Sequence, residues 1–479
     1  MTSTTSPVNH PTPAGAPQPV PLDANAVDRL RARVAGPVLL SGDDNLADEL
    51  ATYNLTVVHR PAVVVGATGP EDVRAAVRFA TDHGLPVAVL AAGHGSSVPS
   101  DGSVLITVRR MRALTVDATA RTARVEAGVR WAEVIEQAGR FGLAPLNGSS
   151  PTVSVIGYTL GGGLGPMGRA YGYAADHVRS LDVVTADGEL RHVTAETEPD
   201  LFWALRGAKG NFGVVTAIEF DLFPVARLYG GGLFFPGEQA AEVLHRYADW
   251  TADLPEEMTS SIGLLHLPPL PFVPEPLRDR LVVHVRIAYL GTAADGERLV
   301  APLRDLGPRI IDTVAEMPYT EIASVHADPV DPLPLYESGT LLRELTPETI
   351  DTILAFAGPE AASPLVLAEL RHLGGALGRP PAQPNAVGNR DAAYSFFAVA
   401  AGGPPQAQAL VDYQRDFVDH LTPWTTGRRY LNFMFAHDTT PDQVRHAFDP
   451  ETYRRLGELK NRYDPANTFR INHNIPPVG

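Results

Sequence analysis

The chain has 479 residues, 44% hydrophobic and 20% charged, which is a globular balance in a chain too long for one ordinary domain. Its 39 basic and 55 acidic residues leave a net charge of −16, which argues against non-specific binding to nucleic acid or to an anionic membrane. There is no cysteine, so disulfides, thiolate metal sites, iron–sulfur clusters and cysteine nucleophiles are excluded.

Residues 1–24 are rich in Pro, Ser and Thr and lack periodic apolar positions, and they are expected to form a disordered tail. They hold neither a basic start followed by an apolar block nor a twin arginine, so a cytoplasmic location is expected. No apolar run approaches the ~20 residues of a membrane span. Residues 25–225 alternate short β-rich runs (62–65, 86–90, 104–106, 181–184) with amphipathic helices (71–83, 131–141). Residues 226–429 are less regular: strands are predicted at 281–289 and 393–401, helices at 238–254 and 406–421, with Pro-rich joints between them. From residue 430 the sequence is dense and motif-like.

Glycine dominates the candidate chemistry. Three Gly-rich loops, 91–97, 161–165 and 207–213, lie in the first half, and glycine lets backbone N–H groups approach a phosphate closely. Each alone reads as a turn; together they suggest a large anionic cofactor. Gly163, Gly165 and Gly168 have the GxGxxG spacing, but residues 157–162 do not read as the strand a dinucleotide fold requires. Lys209 and Lys460 are the only lysines, and no Gly-Lys-Ser/Thr occurs. His94, between Gly93 and Gly95 after a β-run, has no apolar face to fill and is expected to play a special role. No metal site is expected: His437 and His446 lack helical partners, and His326 and Asp328 read as surface loop.

The sequence resembles the oxygen-dependent FAD-linked oxidoreductases, the berberine-bridge-enzyme-like branch of the vanillyl-alcohol-oxidase and p-cresol-methylhydroxylase superfamily. The matching motifs are Ala92-Gly93-His94-Gly95, Ser150-Pro151-Thr152-Val153 running into Gly161-Gly162-Gly163, Phe202-Trp203-Ala204-Leu205-Arg206-Gly207, and Gly210-Asn211-Phe212-Gly213-Val214-Val215. At the C-terminus they are Tyr430-Leu431-Asn432 and the run Tyr463 to Ile475.

The resemblance implies an α+β, two-domain PCMH-type FAD-binding fold. Residues 25–225 and 430–479 would form the FAD domain, and residues 226–429 a substrate domain of antiparallel sheet backed by helices. It implies FAD held by Ala92, Gly93, His94, Gly95, Ser96, Ser150, Thr152, Val153, Gly157, Gly161, Gly162, Gly210, Gly213, Val214, Val215, Asn472 and Asn474. A covalent bond would run from His94 to the flavin 8α-methyl. Many relatives have a second bond from a cysteine; here Ser150 stands in that place, so the link would be single. Gly95 replaces the usual serine, Leu90 and Ala91 the common Arg-Gly, and Ser154 and Ile156 replace glycines.

The resemblance also places a catalytic base at Tyr430, with Asn432 beside it and Tyr394 as a second pocket tyrosine. A phenol with an ordinary pKa of about 10 needs hydrogen bonds or positive charge to serve near neutral pH. Val153 sits at the oxygen-gate position and implies reoxidation by dioxygen to hydrogen peroxide. The expected enzyme is an FAD-dependent oxidase of an alcohol, amine or related carbon centre. A dehydrogenase or a redox-neutral cyclase or isomerase of secondary metabolism is the alternative. Phe234-Phe235, Leu264-Leu265 and Phe396-Phe397 suggest a hydrophobic or aromatic small-molecule substrate. Oligomeric state is left open.

Overall fold

The computed structural model describes residues 22–95, 98–271 and 273–478. Residues 1–21 of the expected tail, and Ser96, lie outside them. The tail was expected to reach residue 24, which is too far: Asp23 caps the helix Ala24–Arg31, accepting the N–H of Asn25, and this helix buries Ala26, Val27 and Leu30.

The next segment folds as strand, helix, strand. Val63–Gly66 and Val87–Leu90 both run parallel to Val104–Thr107, which lies between them, and Val38–Leu39 adds an antiparallel edge. The connecting helix Pro70–Asp82 opens with proline and two acidic residues and buries Val73, Ala76, Val77 and Ala80, the i, i+3, i+4, i+7 stripe. Its Asp72 carboxylate accepts the N–H groups of Ala35, Gly36 and Thr68, tying the N-terminal segment to the helix start. A five-stranded antiparallel sheet follows, in the order Leu114–Asp117, Thr122–Glu126, Val214–Asp221, Val178–Val184 and Leu190–Val193. The two sheets share one core.

Beyond Asp221 the strand pairing changes. Ile311–Asp312, Arg227–Pro236, Arg280–Tyr289, Met258–Leu267, Leu365–His372, Tyr394–Ala401 and Leu335–Leu342 form a large antiparallel sheet in that order, and Ala315–Pro318 pairs with Arg227–Pro236. Helices Ala240–Ala252, Ala293–Arg304, Pro347–Ala357 and Ala407–Leu421 cover one face, with Leu244, Tyr247, Ile353 and Phe417 in the shared core. Strand alternation divides the aromatic and leucine pairs seen in the sequence. Phe235, Leu264 and Phe396 face the helices. Phe234, Leu265 and Phe397 face an open cavity.

The C-terminal helix Pro450–Tyr463 packs back on the first unit, where Arg455 pairs with Asp200 at 2.9 Å. Lys460 Nζ lies 2.7 Å from Asp464 Oδ2, both fully buried, and donates to the carbonyl of Asn211. Asp464 also accepts the N–H groups of Thr468 and Phe469. A buried ion pair that loses one partner leaves an uncompensated charge, so Lys460→Met is expected to cost about 3–5 kcal/mol. Denaturant unfolding of the holoenzyme measures this; a loss below about 1 kcal/mol would mean that the two N–H groups alone satisfy Asp464. Among the described residues no helix is long and apolar enough to cross a membrane.

Candidate active site

A continuous cavity of about 740 Å³ separates the loops of the first unit from the uncovered face of the large sheet. The first unit contributes Ala92, Gly93, His94, Gly95, Ser150, Val153, Gly157, Gly210, Gly213, Val214, Val215 and Asn472 to the wall. The close approach of backbone is built in. Gly93 has φ +73°, and a Cβ there would lie 2.7 Å from Thr52 Cβ, so no other L-residue fits.

His94 is not without a ring partner, as its flanking glycines had suggested. It stacks on Tyr53 with centroids 3.8 Å apart, and its Nε2 lies 2.8 Å from Thr152 Oγ1. Thr152 in turn lies 3.0 Å from Ser150 Oγ, so the serine at the cysteine position joins the hydrogen bonding that orients His94. Burial, with Arg130 adding to it, pushes His94 down to about 4, so the imidazole is neutral at physiological pH.

Four residues expected to touch the cofactor stand behind the wall: Thr152, Gly161, Gly162 and Asn474. The first acts through His94. The two glycines make room for Tyr430 and Asn432: a Cβ on Gly161 would sit 1.9 Å from Asn432 Oδ1, and one on Gly162 would sit 3.2 Å from Tyr430 Oη. Asn474 Oδ1 is buried without a hydrogen-bond partner.

Tyr430 and Asn432 both border the cavity, but through a turn and not a strand. Tyr430 precedes the 3-10 turn Leu431–Phe433, which brings Asn432 Nδ2 to 2.8 Å from the carbonyl of Tyr158 and 3.4 Å from Tyr430 Oη. Burial raises the Tyr430 phenol well above its ordinary value, and Tyr173 adds to this; the N–H groups of Gly163 and Leu164 and the Asn432 amide oppose it only in part. No cation assists. Arg428 donates to the carbonyl of Phe448, and Arg429 pairs with Asp438 at 2.6 Å. Burial therefore favours the protonated form of Tyr430, and a base role would need stabilisation of the phenolate beyond these donors. Tyr394 is corrected: it faces the helices, bonds Thr251 Oγ1 through its hydroxyl at 2.6 Å, and stacks on His372, away from the cavity.

The opposite wall holds groups that motif reading missed. His284, Arg286, Glu337, Glu369 and Arg371 project from the sheet, and His326 and Asp328 border the same space, contrary to their reading as surface loop. The His326 side chain is only 9% exposed. A signal existed: His284 and Arg286 interrupt an otherwise apolar strand at alternate positions, as do Glu369 and Arg371, which puts each pair on one face. Glu337 is pushed up to about 8 by burial, and its Oε2 has no partner. On the loop side Lys209, at φ +53°, reaches 3.3 Å from His473 Nδ1 and is lowered to about 7 by burial.

The cofactor wall fits a flavin nucleotide. It combines the glycine cradle with His59 Nε2, Asn472 Oδ1 and His473 Nε2, buried polar atoms on the cavity border that have no hydrogen-bond partner among the described residues. Residues 61–194 match the family described as FAD binding domain, and residues 429–476 match that described as Berberine and berberine like. Fold and site thus define an FAD-linked oxidoreductase. The (R)-6-hydroxynicotine oxidase of Paenarthrobacter nicotinovorans is 29% identical, the alignment covering 94% of this chain and all of that one. The chitooligosaccharide oxidase of Gibberella zeae is 24% identical over 96% of both chains. Among solved structures, 6-hydroxy-D-nicotine oxidase from Arthrobacter nicotinovorans superposes with a TM-score of 0.81 at 26% identity, covering 93% of this chain and 98% of that one. The chain thus carries FAD-binding and berberine-like segments and has the two-domain α+β fold of PCMH-type oxidoreductases.

Proposed function

We propose that the chain is an FAD-dependent oxidase that removes a hydride from the carbon bearing an amine or hydroxyl group of a small, largely apolar molecule, with dioxygen as the final acceptor and hydrogen peroxide as product. One observation carries this reading: a single cavity has a cofactor-fitting wall on one side and the uncovered sheet face on the other. Relatives over nearly the whole chain are named as oxidases of a hydroxynicotine and of chitooligosaccharides, and these names support the oxidase class without fixing the substrate. Phe234, Leu265, Leu267, Val366, Phe397 and Phe433 favour an apolar or aromatic body.

Flavin, when bound, accepts the hydride and delivers its two electrons to dioxygen. The chain supplies position and hydrogen bonding, and the proton left on the substrate heteroatom after hydride loss passes to solvent. His94 is the attachment residue: when its Nε2–H donates to Thr152, the lone pair of Nδ1 is free, and the neutral ring can act as a nucleophile. Tyr430 keeps its proton and donates it as a hydrogen bond to the substrate heteroatom, its oxygen held by the N–H groups of Gly163 and Leu164. Asn432 locks that phenol in place. Val153, on the same cavity border, would leave dioxygen more room than a larger side chain there.

The test is anaerobic. Bleaching of the yellow protein is screened against aromatic amines and alcohols, and air is then admitted. An oxidase regains its colour and yields one hydrogen peroxide per flavin reduced. Colour that stays bleached in air, or turnover without bleaching or peroxide, overturns the oxidase reading in favour of a dehydrogenase or a redox-neutral enzyme.

A further inference from the structure

The sheet wall carries more charge than an apolar substrate needs. Strand Met258–Leu267 runs between Arg280–Tyr289 and Leu365–His372. Its Ser261 lies opposite both Arg286 and Arg371, and its Gly263 lies opposite both His284 and Glu369. Because Gly263 has no side chain, the charged groups of the outer strands meet above it; a Cβ there would lie 3.3 Å from Arg286 Nη1. Arg286 Nη1 donates to Glu369 Oε1 at 2.6 Å, Ser261 Oγ donates to the same oxygen at 2.9 Å, and Arg371 Nε donates to Oε2 at 2.9 Å.

Two guanidinium groups thus share one carboxylate. The site is buried, with Arg286 3% and Glu369 1% exposed. Among the described residues, Arg286 Nη2 and both Nη atoms of Arg371 make no hydrogen bond, and both arginines line the cavity. Arg371 lies 5.0 Å from the centre of the Phe433 ring, which ties the free donors to the aromatic part of the wall.

The rest of the wall adds one further carboxylate, Asp328, whose field reaches Arg371. Asp328 forms no ion pair with either arginine among the described residues. Burial holds Glu337 protonated at neutral pH, while His284 and His326 stay neutral. Lys209, on the cofactor side, is lowered to about 7 by burial and is only partly charged at neutral pH. Two guanidinium groups whose outer donors are unsatisfied among the described residues therefore face the cavity. Buried guanidinium donors without a hydrogen-bond partner are costly, and a planar carboxylate matches their fork.

We propose that Arg371, seconded by Arg286 and oriented by Glu369, binds a carboxylate-type anionic group on the substrate, so that the substrate class is an apolar or aromatic acid bearing the oxidisable amine or hydroxyl. The inference rests on the sheet being the substrate wall of a flavin oxidase. A recess of about 20 Å³ behind the arginines, bordered by His326 and His372, has room for one water, and it is the competing destination for the free donors.

The test uses the full-length yellow holoenzyme and benzoate as probe, read as a perturbation of the visible flavin spectrum. Benzoate is expected to bind saturably, and benzamide, its neutral isostere, at least about tenfold more weakly. Arg371→Gln should weaken benzoate by a similar factor with flavin content unchanged, and Arg371→Lys should restore part of the loss. Equal binding of benzoate and benzamide to the wild-type enzyme, which needs no variant to fold, overturns the proposal and assigns the free donors to water. So does an Arg371→Gln enzyme that binds benzoate as the wild type does. A colourless chain that takes up no FAD would instead overturn the flavin-oxidase reading itself.

Discussion

Replacing Tyr430 by Phe slows anaerobic reduction of the bound flavin by about 10²-fold, the scale of losing one well-placed hydrogen bond to the reacting atom. Substrate dissociation should change far less, because the phenyl ring keeps its contacts with Tyr173 and Phe433. The pH dependence separates two roles for the same oxygen. Burial raises the phenol above its ordinary value, so a donor role keeps the wild-type to variant ratio constant between about pH 6 and pH 9. An ionised base would become more populated as pH rises, and the ratio would then climb about tenfold per pH unit. Stopped-flow reduction at both pH values decides the matter. A climbing ratio returns Tyr430 to the role of base; a ratio near one removes it from the chemistry.

Replacing His94 by Ala frees the cofactor. Wild-type protein precipitated with acid is expected to give a yellow pellet whose intact mass exceeds that of the polypeptide by one FAD. The variant should give a yellow supernatant and a bare polypeptide mass. The chain has no cysteine, so no second thioether can mask the effect. The nucleophile has the required form: the ring is held neutral by burial, clamped between Tyr53 and Thr152. Flavin that stays covalent in His94→Ala would assign the attachment to another residue. Flavin released from the wild type would keep the fold and the cofactor and discard the bond.

The legible parts of this protein were the ones set by short-range rules. The helix Pro70–Asp82 was visible because its apolar stripe, starting proline and acidic first turn all lie within thirteen residues. The glycine loops at 91–95 and 207–213 were visible because a backbone that must approach a ligand or cross into positive φ leaves few other choices. Tyr430 and Asn432 were found as a motif, but the geometry that joins them is not local. The turn Leu431–Phe433 is imposed by packing on Gly161 and Gly162, far away in sequence.

Tyr394 shows the same limit from the other side. An aromatic in a β-run has two faces available, and only the helices packed on the sheet decide that Tyr394 turns away from the cavity while Phe397 turns into it. Arg286 lies 83 residues before Glu369, which shares a strand with Arg371, and only strand order and the absent side chain of Gly263 bring the three together.

By itself the sequence determined the family, the flavin nucleotide, the attachment candidate His94 and the exclusion of thiol chemistry, since each depends on residue type and local spacing. The tertiary structure alone decided which face of each strand borders the cavity, that the Tyr430 phenol is buried, and that two arginines on the cavity wall share one carboxylate. Those facts depend on burial and on the pairing of distant strands, which set protonation and charge balance through the surrounding dielectric and partners, and no local stretch of sequence encodes them.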